Sequence, residues 1–348
     1  MKVTRLHAVG DLRTAEEPMP VPAAGMSLVR VTAIGICGSD LHWWGEAGIG
    51  DSVLDQPLVL GHEAAGVIAD GPRTGERVAI DPAIPCGTCE SCLRGYRNLC
   101  TRIAFAGHGR QDGAMREFLA WPSHLLHPLP DVVTDAAGAI LEPLGVAIHA
   151  SDLGHLHLGG SAAVVGCGPI GLLLIQVLRA AGAASITAFE PLAHRRAAAV
   201  RLGADVVLDP AAFGTSASLH KLVGEGVDTA FEVAGTDAGV QLAMDTARPG
   251  GRVVLGGIPG DDWTRFRASP ARRKGLTIAM VRRMNDVYPR AIRLASAARV
   301  DLDSLVTDRI PLAMAGQAFA VAARRDGLKV IVEPGSLSPS PPATDRPY

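Results

Sequence analysis

Short apolar runs broken by glycine and proline dominate the first 150 residues. Leu28-Val29-Arg30-Val31 and Arg77-Val78-Ala79-Ile80 read as strands bounded by turn clusters. Pro18, Pro20 and Pro22 mark an irregular connection rather than a helix. The run from Gly61-His62-Glu63 to Ile68 has the pattern of a turn feeding a strand. Residues 136–150 are different: they form an apolar helical stretch in which Glu142 sits among Ile140, Leu141 and Leu144. From Ser161 the pattern changes again. Ala162-Ala163-Val164-Val165 is continuously apolar, as a parallel strand buried on both faces must be. It leads through Gly166-Cys167-Gly168-Pro169-Ile170-Gly171 into a helix to about Ala181. Strand-like runs follow at 185–189, 205–208, 227–233, 252–257 and 276–281, with helical stretches between them. That alternation predicts a doubly wound parallel sheet. Tyr288 to Ala297 reads as helix, Ile310-Pro311-Leu312 opens a further element, and Lys329-Val330-Ile331-Val332 is a last strand. Since the doubly wound sheet is complete by then, this strand is expected to return to the first domain.

The pattern therefore predicts an α/β protein of two domains. A β-rich domain comprises 1–150 and 285–334, a doubly wound domain spans 151–284, and the Pro- and Ser-rich residues 335–348 form a disordered tail. A length of 348 residues and 48% hydrophobic residues suffice for two cores. A formal net charge of −2 offers no basic surface to nucleic acid. No apolar leader follows Met1-Lys2-Val3, and runs such as Ile170 to Val177 are too short to span a bilayer. A cytoplasmic protein without membrane partners is expected. In a reducing compartment, closely spaced cysteines point to metal rather than disulfides.

Three groups of residues carry candidate chemistry. Cys86, Cys89, Cys92 and Cys100 are spaced C-x2-C-x2-C-x7-C, which lets four thiolates close a tetrahedral zinc shell. Such a site has no open position and is structural; an iron–sulfur cluster is the alternative, but its known spacings differ. Cys37, Ser39, Asp40 and His42, with His62 and Glu63, gather thiol, hydroxyl, carboxylate and imidazole in one short stretch. Taken singly, Cys37 is a small buried residue and His62 a satisfied histidine; Ser39 also reads as a turn residue and His42 as a surface group. Together they suit a catalytic zinc that keeps a position open. Glu142 in apolar company needs a partner, and it is either a ligand or near-ligand of that metal or an exposed helix-face residue. In the glycine loop, Gly166 permits the tight turn, Gly168 the approach of a pyrophosphate and Gly171 close helix–strand packing, while Pro169 and Ile170 begin the helix. Glu190, 19 residues beyond Gly171, can accept hydrogen bonds from a ribose hydroxyl and repel a 2′-phosphate. This Rossmann pattern favours NAD over NADP, moderated by the nearby Arg195 and Arg196.

With these motifs in place, the chain resembles the zinc-dependent medium-chain dehydrogenases over nearly its whole length. The carriers are Gly35-Ile36-Cys37-Gly38-Ser39-Asp40, Gly61-His62-Glu63, the four-Cys lobe at 86–100, Glu142-Pro143-Leu144 and the loop at 166–171. It is most similar to the polyol branch, of sorbitol and L-idonate 5-dehydrogenase type, through Leu41-His42-Trp43-Trp44, Gly48-Ile49-Gly50 and Tyr288-Pro289-Arg290-Ala291-Ile292. The resemblance implies a GroES-like catalytic domain completed by the C-terminal segment. It implies Cys37 and His62 as catalytic zinc ligands, with Glu63 a ligand or alternating with water, and Glu142 ligating or holding the zinc-bound water. Alcohol dehydrogenases proper carry Cys where Glu142 stands. It further implies that Ser39 takes the hydroxyl proton and passes it towards His42, and that Asp40 fixes the tautomer of His62.

Arg283 falls near an arginine that contacts polyol hydroxyls, although Arg282 and Met284 stand where aromatics usually flank it. The basic run around it suits a sugar acid or is solvated surface. The expected function is oxidation of a polyol, cyclitol or sugar acid, with L-threonine as the competing substrate and a homo-oligomer, tetramer or dimer, as the assembly. A non-catalytic NAD-binding protein would have lost the ligand residues that this chain keeps.

Overall fold

The computed structural model describes residues 1–212 and 224–335. The expected disordered tail, apart from its first residue, lies outside them. Among the described residues, the β-rich domain is organised around the strand Met26–Gly35 in a seven-stranded mixed sheet. One edge of this strand pairs antiparallel with Glu63–Ile68, with Gly35 opposite Glu63. The other edge is shared. Phe118–Pro122 pairs with its first half, and Lys329–Glu333 with its end, placing Ile331 opposite Gly35. Two distant segments, at Glu63 and Ile331, thus meet the strand where it ends and Cys37 begins.

Gly35 is required at that crossing: a side chain there would collide with the Glu63 carboxylate. The C-terminal strand does return to the first domain, as its late position in the chain predicts. Ile310-Pro311 ends a strand, Val306–Pro311, rather than opening an element. Its alternation of half-buried and exposed positions leaves no apolar run to read.

The second sheet is parallel, with strands in the spatial order 206–208, 185–189, 161–165, 227–232, 247–255 and 277–280. Strand order reverses between 161–165 and 227–232. Ligands of open α/β sheets bind at such a switch point, beyond the carboxyl ends of the strands.

Between the sheets runs the helix Asp135–Gly154, opened by Thr134, whose side chain accepts from Ala137 N at 3.0 Å. It is apolar on nearly every face and almost wholly buried, as such a helix must be. One core unites it with the helices Pro169–Ala180 and Tyr288–Ser296 and with Ala33, Ala65 and Ile331 of the first sheet. The expected boundary at 150/151 falls inside this continuous helix.

Candidate active site and metal centres

Asp40 ties the site together. The helix Gly38–Glu46 starts immediately after Cys37, and Asp40 in its first turn is fully buried. Its carboxylate accepts from Cys37 N at 2.9 Å and from Gly61 N at 3.3 Å, joining the two loops that carry Cys37 and His62. The same group lies 3.4 Å from His62 Nδ1. Burial alone would raise the Asp40 pKa, but His62 and the two N–H groups hold it below the usual range. On the other side of the ring, His62 Nε2 is 3.4 Å from Ser39 Oγ. His42, one turn along, faces Glu46 at 3.1 Å.

The ligand atoms of Cys37, His62 and Glu63 lie within 4.8 Å of one another. A thiol, an imidazole and a carboxylate at that spacing fit a zinc ion with an open position. Glu63 is not free of other bonds, however. Its carboxylate forms an ion pair with Lys329, which is only 2% exposed and also donates to Ile36 O at 2.9 Å. Glu142 stands beside this cluster but outside it. It is 4% exposed, and burial pushes its carboxyl up to about 7, with His62 opposing and Glu63 reinforcing the shift.

The adjoining wall is aromatic and basic. The Phe105 ring lies 5.4 Å from that of His62, and the Arg283 guanidinium stacks on Phe105 at 4.0 Å. His108 packs edge-on to Trp43 at 5.4 Å. Arg283 has a positive φ of 55°. The following residue, Met284, fills the space over Gly145 of the buried helix, where any side chain would clash.

A cavity of about 710 Å³ runs from Cys37 and Gly38 to Gly166, Gly168, Glu190 and Arg195. Gly166 has φ +94°, and a Cβ there would come within 2.9 Å of Ala234. A Cβ on Gly171 would collide with the Gly166 carbonyl, whereas at Gly168 the nearest atom is 3.7 Å away. The loop is therefore closed where it must pack and open where a pyrophosphate would approach, with Pro169 and Ile170 opening the helix behind it. Glu190, at the end of its strand, accepts from Cys167 N at 2.8 Å and Leu192 N at 3.0 Å, so it also braces the loop. Arg195 reaches the Gly327 carbonyl at 3.4 Å, and its Nε is buried without a partner.

The sulfurs of Cys86, Cys89, Cys92 and Cys100 also fall within 4.8 Å of one another. Backbone N–H groups of Cys86 and Cys89 donate to sulfur at 3.3 Å, as they do to metal-bound thiolates. This donor set fits a closed zinc site. The lobe reaches the active-site wall: Asn98 Nδ2 donates to Arg282 O and Asn285 Nδ2 to Gly95 O, each at 2.9 Å.

Sequence reasoning missed Lys329, Phe105 and His108. Lys329 reads as the start of a strand. Phe105 and His108 carry no spacing signal, and only the folded chain brings them to His62.

The chain is similar to known dehydrogenases across both domains. Residues 23–131 match the alcohol dehydrogenase GroES-like domain, and residues 169–297 match the zinc-binding dehydrogenase family. The sorbitol dehydrogenase of Gallus gallus is 35% identical over 337 residues, covering 94% of this chain and 95% of that protein. An Escherichia coli oxidoreductase of unknown specificity is similar in structure with a TM-score of 0.89 at 32% identity, covering 95% of this chain and 98% of that one. The L-idonate 5-dehydrogenase of Escherichia coli has a TM-score of 0.87 at 25% identity, covering 95% and 97%.

Proposed function

This chain belongs to the zinc-dependent medium-chain dehydrogenase family, and we propose that it oxidises a secondary alcohol of a polyol, cyclitol or sugar acid with NAD. The observation that carries this reading is a single cavity that runs from the Cys37 donor set to the glycine loop and Glu190. A hydroxyl carbon and a nicotinamide ring can meet only if both sites open on one space.

Cys37, His62 and Glu63 would hold the catalytic ion, with Glu142 as the neighbouring carboxylate. When bound, zinc supplies a Lewis acid for the hydroxyl oxygen and NAD supplies the hydride acceptor. Asp40 keeps the proton on His62 Nδ1 and so presents Nε2 as the donor atom. Lys329 neutralises Glu63 in the buried interior. Ser39 takes the hydroxyl proton and passes it towards His42, which shares its face of the helix three residues on and can release it to solvent. Glu190 orients the ribose and disfavours a 2′-phosphate. Among relatives, the names sorbitol dehydrogenase and L-idonate 5-dehydrogenase support the polyol and sugar-acid substrates.

The test is initial-rate NAD reduction across sorbitol, xylitol, L-idonate, D-gluconate, myo-inositol and L-threonine, with and without a chelator. Activity on at least one polyol or sugar acid, lost on chelation and absent in Cys37→Ser, is expected. Turnover that survives in Cys37→Ser would sink the mechanism, and activity on L-threonine alone would move the substrate to an amino alcohol.

A further inference from the structure

One wall of the site carries a guanidinium, that of Arg283, which is in ion-pair contact with no carboxylate among the described residues; Glu142 acts on it only at longer range. The Arg283 guanidinium and the His62 ring both pack against Phe105, the guanidinium 4.0 Å from its ring centre and the imidazole 5.4 Å from it. Arg283 Nη1 is buried without a hydrogen-bond partner. A buried guanidinium N–H without an acceptor is costly, so a native structure that keeps one needs a reason for it. His108 lies at the same ring, 6.5 Å from Phe105 and 5.4 Å from Trp43, with Nε2 3.3 Å from Ser52 Oγ.

The electrostatics agree with the geometry. Burial, Arg283, Arg282 and His62 together push His108 down to about 4, and no carboxylate acts on it. Burial and Arg282 push Arg283 down to about 10, with Glu142 the one opposing group. Nor is this a loose surface arginine. Asn98 and Asn285 tie the residues on either side of Arg283 to the four-Cys lobe at 2.9 Å each, and Met284 is anchored over Gly145.

We propose that Arg283 and His108 form a subsite for an anionic end group, a carboxylate or a phosphate, on the chain of the alcohol substrate. This inference rests on the dehydrogenase reading and names the substrate class within it. An anion there gives Nη1 its missing acceptor, offsets the repulsion between Arg282 and Arg283, and accepts a hydrogen bond from the neutral His108 imidazole. The reacting hydroxyl then lies towards Cys37 and His62, so the end group sets which carbon is presented.

Calorimetric titration of the zinc- and NADH-loaded enzyme tests this, because NADH fills the cofactor site and prevents turnover of an alcohol. The titrants are a hexitol, the matching hexonate, the matching hexitol phosphate and inorganic phosphate. Binding of an anionic ligand roughly ten- to hundredfold tighter than the hexitol is expected, with Arg283→Gln and His108→Asn each removing most of that difference. The hexonate and hexitol phosphate arms identify which anion the subsite prefers. Equal affinity for hexitol and anions would overturn the proposal. So would anion binding that both variants leave unchanged, which would assign it to the zinc. If the subsite fails while zinc-dependent oxidation of neutral polyols persists, the dehydrogenase reading stands alone. Intact anion binding without turnover of any alcohol would count against that reading instead.

Discussion

Lys329 is the counter-charge at the proposed catalytic donor set. Glu63 and Lys329 are both buried, and each is the other's counter-charge. Burial would lower the lysine pKa, but Glu63 and Cys37 raise it above its ordinary value. Replacing Lys329 by Met removes the counter-charge that the buried Glu63 has in the folded chain. Breaking a buried pair this way costs about 3–5 kcal/mol, much more than losing an exposed one. Lys329→Met is therefore expected to lower the urea midpoint strongly, and the double variant with Glu63→Gln to recover part of the loss. A Lys329→Met protein within about 0.5 kcal/mol of the parent would show that the pair does not carry the cluster. The same residue shows what the sequence conceals. Cys37, His62 and Glu63 are legible because ligand chemistry belongs to their residue types and they lie close in the chain. Lys329 binds the carbonyl of Ile36 from 293 positions away, a distance that only the sheet register spans.

At the scale of elements, the four-Cys lobe is more than a candidate metal site. Its side chain Asn98 and backbone Gly95 are hydrogen-bonded to the 282–285 segment, and Arg97 lies 3.9 Å from Asp286. The segment that carries Arg283 in a left-handed conformation is therefore positioned by the lobe. Asn98→Ala is expected to raise the substrate KM several-fold while kcat and NAD affinity stay near the parent values. That split separates loss of positioning from general unfolding, which would lower all three; an unchanged KM would detach the lobe from the substrate site. Elements were legible where burial is two-sided. The apolar run at 162–165 and the glycines after it specify a strand, a turn and a helix start, each found in place. The strand Val306–Pro311 was not, because half of it faces solvent and charge breaks its apolar pattern.

For the molecule as a whole, the site exists only because two sheets, each with a core of its own, share a further core around one buried helix and face a common cavity. Composition and alternation announced both sheets, but not that Glu190 would brace the loop it serves. That dual role sharpens the prediction for the cofactor. NAD at about 100 times its Kd should stabilise the native protein by about 2.7 kcal/mol, since only the folded chain assembles the cavity. Cys37→Ser keeps the glycine loop and Glu190 intact, so its NAD-induced rise in Tm is expected to match that of the parent. In Glu190→Ala the Cys167 and Leu192 N–H groups lose their acceptor and the ribose loses its partner. Its NAD-induced rise should shrink, and its preference for NAD over NADP should weaken because the repelling charge is gone. Thermal unfolding of the three proteins with each cofactor measures both effects. An unaltered NAD response in Glu190→Ala would remove the residue from the ribose site. A lost response in Cys37→Ser would mean that the metal and nucleotide sites fold as one unit rather than as partners across the cavity.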